Sequence, residues 1–259
     1  MALSQAEVAA FAETLDAAQR ERKLLARLAD TTLAVGDGYR VQRELQRRRL
    51  ARGEKLVGYK MGLTSLAKMK QIGLSSPVFG FLTDGHRAAD GAALDTASLA
   101  QPRVEPEIAF ILARPLDGEC SIEEVLAATA AIAPAIEVLD SRFNGFKFDL
   151  ASAIADNTSA ARFVVGEARK PAAGIDLAKI GVVVRKNGAE AARGTGENVL
   201  GHPARSVAML ATMLKAEGTV LPAGAIVMTG GITEAVAVAR GDRVQVSIEA
   251  LGAVSVAFN

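Results

Sequence analysis

Residues 104–110 read VEPEIAF, two glutamates one residue apart among valine, isoleucine, alanine and phenylalanine. In an extended strand the side chains at i and i+2 share a face, which sets Glu105 and Glu107 side by side with Cα atoms about 7 Å apart. Two carboxylates that close in apolar surroundings repel one another, and each raises the other's pKa unless a cation neutralises them. Two readings fit the spacing. Either the pair faces water on an edge strand, with Pro106 marking the edge because it cannot donate to a ladder, or something positive sits between the two acids. Further on, PAIEVLDSR sets a third acid, Glu137, among apolar neighbours in a β-branched run. Three carboxylates from two strands suit a hard divalent cation such as Mg2+ or Mn2+, which prefers oxygen ligands and leaves positions for water or substrate oxygens.

Other chemistries are poorly served. The two histidines, His86 and His202, do not stand at zinc-ligand spacing. There is no GxSxG elbow, and GTGENVLG lacks the lysine and the strand-to-helix setting of a phosphate loop. Cys120 has no histidine positioned beside it by sequence and reads as a small structural residue.

The elements that must hold these acids read as an α+β chain. Ser4 and Glu7 form a capping box, and Val8, Phe11 and Leu15 recur at helical spacing, which predicts a helix over residues 4–29. A second helix is predicted from Tyr39 to Arg52, closed by Gly53. Its arginines 40, 43, 47, 48, 49 and 52 read as a solvated face or a subunit contact, because no aromatic residues accompany them. VGYKMGLTS has a strand-like start that carries Lys60 to a glycine turn, after which Thr64 can cap a short helix, SLAKMKQIG. Beyond Pro77 short strands dominate, with candidates at 103–112, 135–140, 161–166, 180–186, 225–229 and 243–249. Two helices interrupt them: SIEEVLAATAAI, where Ser121 and Glu124 make another capping box, and ARSVAMLATMLKAEG, ending at Gly218. Lys186, Asn187 and Gly188 supply a hairpin turn. The expectation is a helical part over 1–75 and a mixed β roll or barrel over 76–259, joined without a Pro/Ser-rich linker into one unit.

The bulk composition narrows the partners. The 259 residues carry 30 basic and 29 acidic side chains, a net charge of +1, so no global field draws the chain to nucleic acid or anionic lipid. There is no tryptophan and there are two tyrosines, which leaves few stacking platforms for bases. One cysteine excludes an internal disulfide, the N-terminus lacks a basic-then-apolar secretory pattern, and no apolar run is long enough to span a bilayer. A cytoplasmic protein with small-molecule or protein partners is expected.

GYKMGLTSLAKMKQIG, VEPEIAF, PAIEVLDSRF, KFDLASAIADNTSAARFVVG, VLGHPARSVAMLA and IVMTGGITEAVAVARGDRV together resemble the 2-keto-4-pentenoate hydratase and 4-oxalocrotonate decarboxylase group, which has the fumarylacetoacetase-like fold. The resemblance runs from about residue 4 to the C-terminus. It implies a metal held by Glu105, Glu107 and Glu137, in agreement with the carboxylate spacing, and an active-site lysine at Lys60. It also implies catalytic roles for Asp140 and Arg142. Asp156, Asn157 and Ser159 are polar candidates for gripping a substrate carboxylate, although Asn157 fits a capped turn equally well. Gly194, Thr229 and Gly230 are positions where backbone can approach a substrate closely. Leu63, Ile72 and Leu74 are candidates for an apolar wall, and Lys68 and Lys70 for holding a second carboxylate near a helix start.

Within the group, GLTSLAKMKQIG, SRFNGFKFD and TGGIT look like the decarboxylase branch. The implied reaction is Mg2+- or Mn2+-dependent loss of CO2 from a six-carbon 2-oxo dicarboxylate, with hydration of a five-carbon dienoate as the alternative. Association with the dienoate hydratase and with further copies of the chain is implied as well. A docking role alone is disfavoured because all of these acids and Lys60 are retained. A fumarylacetoacetase-type hydrolase would need a water-activating His–Glu pair, for which His86 is the one nearby candidate.

Overall fold

The computed structural model describes residues 2–28, 33–65, 69, 76–169 and 175–259. Helix α1 (Gln5–Arg20) opens with the expected capping box, the Glu7 N–H donating to Ser4 Oγ and the Ser4 N–H to Glu7 Oε2. It ends at Arg20 rather than at residue 29. Arg22 adopts a φ of 54° and the Lys23 N–H turns back to Ala18 O at 2.8 Å. That left-handed closure usually announces itself with glycine, and here the continuing leucines hid it. Helix α2 (Val35–Ala51) starts earlier than predicted and packs on α4 (Leu150–Ala155) at Gly38, where a Cβ would fall 2.5 Å from Ala151 O. Gln42, buried between them, donates to Phe79 O and Ile154 O, both at 2.9 Å. The α2 arginines are not all solvated: Arg52 forks onto Asp16 of α1 at 2.7 and 2.8 Å, and Arg49 is buried against His86 and Gln19.

Two sheets form the rest. The eight-stranded sheet runs in the order β2 (Val78–Thr83), β1 (Leu56–Gly62), β10 (Ile226–Met228), β5 (Arg103–Leu112), β6 (Thr129–Leu139), β7 (Ala160–Val165), β3 (Arg87–Ala88), with β11 (Val236–Ala237) paired to the start of β5. The five-stranded sheet runs β4 (Ala93–Leu94), β13 (Gly252–Phe258), β12 (Arg243–Ile248), β8 (Gly181–Lys186), β9 (Ala189–Thr195), the last two joined by the predicted Asn-Gly hairpin. Mixed sheets with segregated helices make the α+β class that the sequence indicates. The helix expected over 121–132 divides: α3 (Ile122–Ala128) keeps its capping box, but from Thr129 the alanine-rich continuation is strand, because it pairs along β5. Tertiary pairing outweighs alanine's helix preference there. Helix α5 (Pro203–Ala216) falls where expected.

The edge-strand reading of the glutamates is overturned. β5 lies inside the sheet, hydrogen bonded to β6 on one side and to β10 and β11 on the other. Pro106 is tolerated because its carbonyl accepts from the Ile232 N–H at 2.9 Å. A strand residue's N and O point to the same side, so the missing donor faces the 229–232 loop and not the β6 ladder.

Candidate active site

Register fixes the centre of the site. Glu105 lies opposite Glu137, and Glu107 follows two residues along β5 on the same face. Glu107 and Glu137 are buried and Glu105 is half-buried, and each offers an oxygen within 4.8 Å of the others. That face also carries a second buried cluster of small and aromatic side chains, including Ala109, Ala135, Phe163 and Met228. Lys60 reaches the same face from β1, opposite Met228. Its Nζ lies 2.7 Å from Glu137 Oε1, a charge contact outside hydrogen-bond geometry, and donates to Thr158 O at 3.1 Å.

The 229–231 turn closes over the acids. Thr229 anchors it, its Oγ1 donating to Ile108 O at 2.9 Å while its own carbonyl accepts from Ser206 Oγ of α5 at 2.7 Å. Gly230, at a φ of 105°, donates its N–H to Glu107 Oε2 at 2.7 Å. A Cβ on Gly231 would fall 2.6 Å from Glu105 Oε2, so backbone packs directly on that carboxylate. On the opposite side Asn157, Thr158 and Ser159 all take left-handed φ values of 49°, 51° and 62°. The Asn157 amide holds them there by imitating a strand partner, accepting from Phe81 N at 2.8 Å and donating to Phe81 O at 3.0 Å. The unusual backbone turns Thr158 O toward Lys60, as strained residues at functional sites commonly do.

The electrostatics call for a cation. Burial first, then the neighbouring Glu137, push the Glu107 carboxyl well above the ordinary range, against the opposing pull of Lys60 and the Gly230 N–H. Glu107 Oε1 and Glu137 Oε2 are buried without a hydrogen-bond partner among the described residues. Two buried carboxylates sharing one ammonium, with lone pairs left over and a third carboxylate alongside, fit a hard divalent ion.

A cavity of about 390 Å3 opens beside these residues, lined by Lys60, Leu63, Arg103, Glu105, Thr158 and Ser159. Its outer wall is aromatic: Phe146 and Phe148 stand 6.5 Å apart, and the Arg103 guanidinium lies 4.2 Å over the Phe146 ring. A larger cavity, about 480 Å3, lies away from the glutamates between α1, α2 and residues 97–99.

Of the residues expected in the site, the structure brings together Glu105, Glu107, Glu137, Lys60, Leu63, Ser159 and the Gly230 N–H. It does not bring Asp140, Arg142 or Asp156 into the cavity. The Asp140 carboxylate accepts from the backbone of Ala100 and Gln101 and faces the other cavity. Arg142 is buried against Asp156 and caps Asp140 O and Ala160 O at 3.0 and 3.1 Å. Thr229 spends its hydroxyl on Ile108, and Gly194 packs against Ile232 and Asn198. Leu74, Ile72, Lys68 and Lys70 lie outside the described residues. The sequence reading missed Arg103, Phe146, Phe148 and Thr158. Arg103 was within reach, since it precedes Glu105 by two residues and so shares its face.

Comparison with known proteins adds to the geometry. The fumarylacetoacetate (FAA) hydrolase C-terminal family model matches residues 69–258. A 4-oxalocrotonate decarboxylase of Pseudomonas sp. (strain CF600) is 47% identical over 259 residues, covering 99% of this chain and 98% of its own. A 2-hydroxyhexa-2,4-dienoate hydratase of Comamonas testosteroni is 41% identical over 246 residues, 93% of each chain. The solved structure of 4-oxalocrotonate decarboxylase from Pseudomonas putida G7, complexed with magnesium and adipate, superposes with a TM-score of 0.95 at 43% identity over 99% of both chains.

Proposed function

The chain belongs to the fumarylacetoacetate (FAA) hydrolase C-terminal family, and on that premise we propose that it is a magnesium-dependent carboxy-lyase. Its substrate is 2-oxohex-3-enedioate (4-oxalocrotonate) and its product 2-hydroxypenta-2,4-dienoate. The observation that carries the reading is the trio of converging glutamates beside a cavity, in a chain similar along its whole length to 4-oxalocrotonate decarboxylases. Adipate, found with magnesium in the Pseudomonas putida G7 enzyme, has the six carbons and two carboxylates of that substrate.

Glu105, Glu107 and Glu137 would hold the ion, which when bound supplies a Lewis acid for the C2 carbonyl. The protein's part is positional. Lys60 Nζ, fixed by Thr158 O and Glu137, stands where it can stabilise charge arriving on the C2 oxygen or exchange a proton with it. The C5–C6 bond breaks, its electron pair moves through the conjugated chain to the C2 oxygen, and CO2 leaves. A proton taken up at that oxygen completes 2-hydroxypenta-2,4-dienoate. Leu63, Phe146 and Phe148 line the cavity along the substrate's carbon chain and limit its contact with water. The Asp140 N–H donates to Ser159 O at 2.9 Å and Arg142 pairs with Asp156, so these residues act from behind, on the backbone that flanks the 157–159 turn.

The hydratase relative supports a second reading, hydration of the five-carbon dienoate on the same cation. One assay separates them: with Mg2+, CO2 release from 2-oxohex-3-enedioate supports the decarboxylase, whereas hydration of 2-hydroxypenta-2,4-dienoate without CO2 release supports the hydratase. The product is a reactive dienol, which favours a place beside a dienoate hydratase; we further propose that the chain works in the degradation of aromatic compounds, in the cytoplasm, and self-associates. Co-elution with that hydratase and light scattering of the pure protein test both associations. Among the described residues no helix is long and apolar enough to cross a membrane.

A further inference from the structure

We propose that Arg103 is the specificity-determining residue that grips the far carboxylate of a dicarboxylate substrate and sets the chain length the site accepts. The inference rests on the reading of the three glutamates as the end of the site that receives the 2-oxo acid. Arg103 shares the face of Glu105 and Glu107 and lies two residues beyond Glu105, so its Cα is about 7 Å further along the row. An extended six-carbon diacid spans on the order of 6 Å between its terminal carbons, from bonds of about 1.5 Å. With its 2-oxo acid end at the glutamates, its second carboxylate therefore falls beside Arg103.

The side chain is held for such a role. β5 is paired on both sides at this point, Arg103 opposite Leu139 of β6 and Ala237 of β11, so the base of the side chain is rigid. Its guanidinium lies over the Phe146 ring at 4.2 Å and makes no hydrogen bond or ion pair among the described residues. Contact with the ring face restrains the guanidinium, and its N–H fork, unengaged among the described residues, can bind a carboxylate at two points. Arg103 thus offers a cationic fork on the wall of the cavity that holds Glu105 and Lys60. A five-carbon monoacid would leave that fork without a partner, and a site built around a charged group discriminates strongly against a ligand lacking it.

Arg103 binds the very carboxylate that leaves, so its grip helps the bound substrate and does not by itself lower the barrier. Removing it should raise KM and leave kcat within a few-fold. The test uses two unreactive probes with the same 2-oxo acid head, 2-oxohexanedioate and 2-oxohexanoate, titrated onto the Mg2+-loaded protein. The intact protein should bind the diacid about ten- to a hundredfold more tightly than the monoacid, the range expected of a charge-assisted contact. Arg103→Gln should abolish that preference while leaving monoacid and Mg2+ affinity unchanged, and Arg103→Lys should keep part of it. Equal weakening of both probes, or a preference that survives Arg103→Gln, would overturn the assignment. If Arg103→Gln fails to fold, an undiminished preference in Arg103→Lys together with Phe146→Leu would overturn it as well. Because these probes are bound and not turned over, an absence of CO2 release would count against the proposed reaction and leave this measurement intact.

Discussion

Lys60 answers two demands at once, neutralising a buried carboxylate and presenting an ammonium to whatever occupies the cavity. Replacing it separates them. Lys60→Ala should lower kcat by roughly 10^2- to 10^4-fold, the usual contribution of a group that handles charge or a proton in the transition state. Mg2+ affinity should hold or tighten, because a competing positive charge has gone from beside Glu137. Near-normal turnover with intact Mg2+ binding would remove Lys60 from the reaction. Asp156 illustrates a different pressure. Burial, opposed by the Arg142 guanidinium, pushes its carboxyl from 3.8 up to about 6. Between about pH 4 and 6 the folded chain thus holds a proton that the unfolded chain has lost. The contribution of this group is fully present below about pH 4 and is lost as pH rises through about 6. Relative to Asp156→Asn, wild-type stability should fall by roughly 3 kcal/mol across that window. Urea unfolding at a series of pH values measures the difference, and a rise with pH would mean that the Arg142 pairing outweighs burial.

The turn at 229–231 shows how a loop can be specified by what it touches. A Cβ on Gly230 would sit 2.2 Å from Thr64 Oγ1, at a φ that side chains rarely adopt. Gly230→Ala should destabilise the fold by about 1–3 kcal/mol and loosen the N–H contact to Glu107, lowering Mg2+ affinity more than an alanine placed at the open Gly36 of α2. Calorimetric titration of the two variants makes the comparison. Such loops mark the limit of what could be read in advance. β5 occupies the predicted 103–112, because its β-branched and aromatic residues and the flanking turn signals are local properties. Both capping boxes are local for the same reason. The central position of β5, the left-handed run at 157–159 and the retreat of Asp140 and Arg142 behind the site depend on partners far away in sequence. Asn157 needs Phe81 and Asp140 needs Ala100, and no spacing in the chain announces either.

Across the whole molecule, the proposed seat of the ion at the three glutamates ties folding to metal binding. Without a cation the fold must keep Glu107 and Glu137 buried with unsatisfied oxygens, which is costly. Any ion that binds the folded chain alone stabilises it by mass action, about 2.7 kcal/mol at a hundred times its dissociation constant. Adding Mg2+ to chelator-treated protein should raise the melting temperature by roughly 5–10 °C for a chain of this size. Glu107→Gln should erase most of that shift, and a shift unchanged in this variant would argue against the carboxylate trio as the ion's seat.

The aromatic rim also bears on how the molecule can be watched. The chain has no tryptophan, its two tyrosines are buried, and Phe148 stands 41% exposed at the cavity wall. Phe148→Trp would therefore place a lone indole fluorophore at the entrance, excitable without interference from any other. Its emission would follow solvent leaving the cavity as a ligand enters, in real time and without a label.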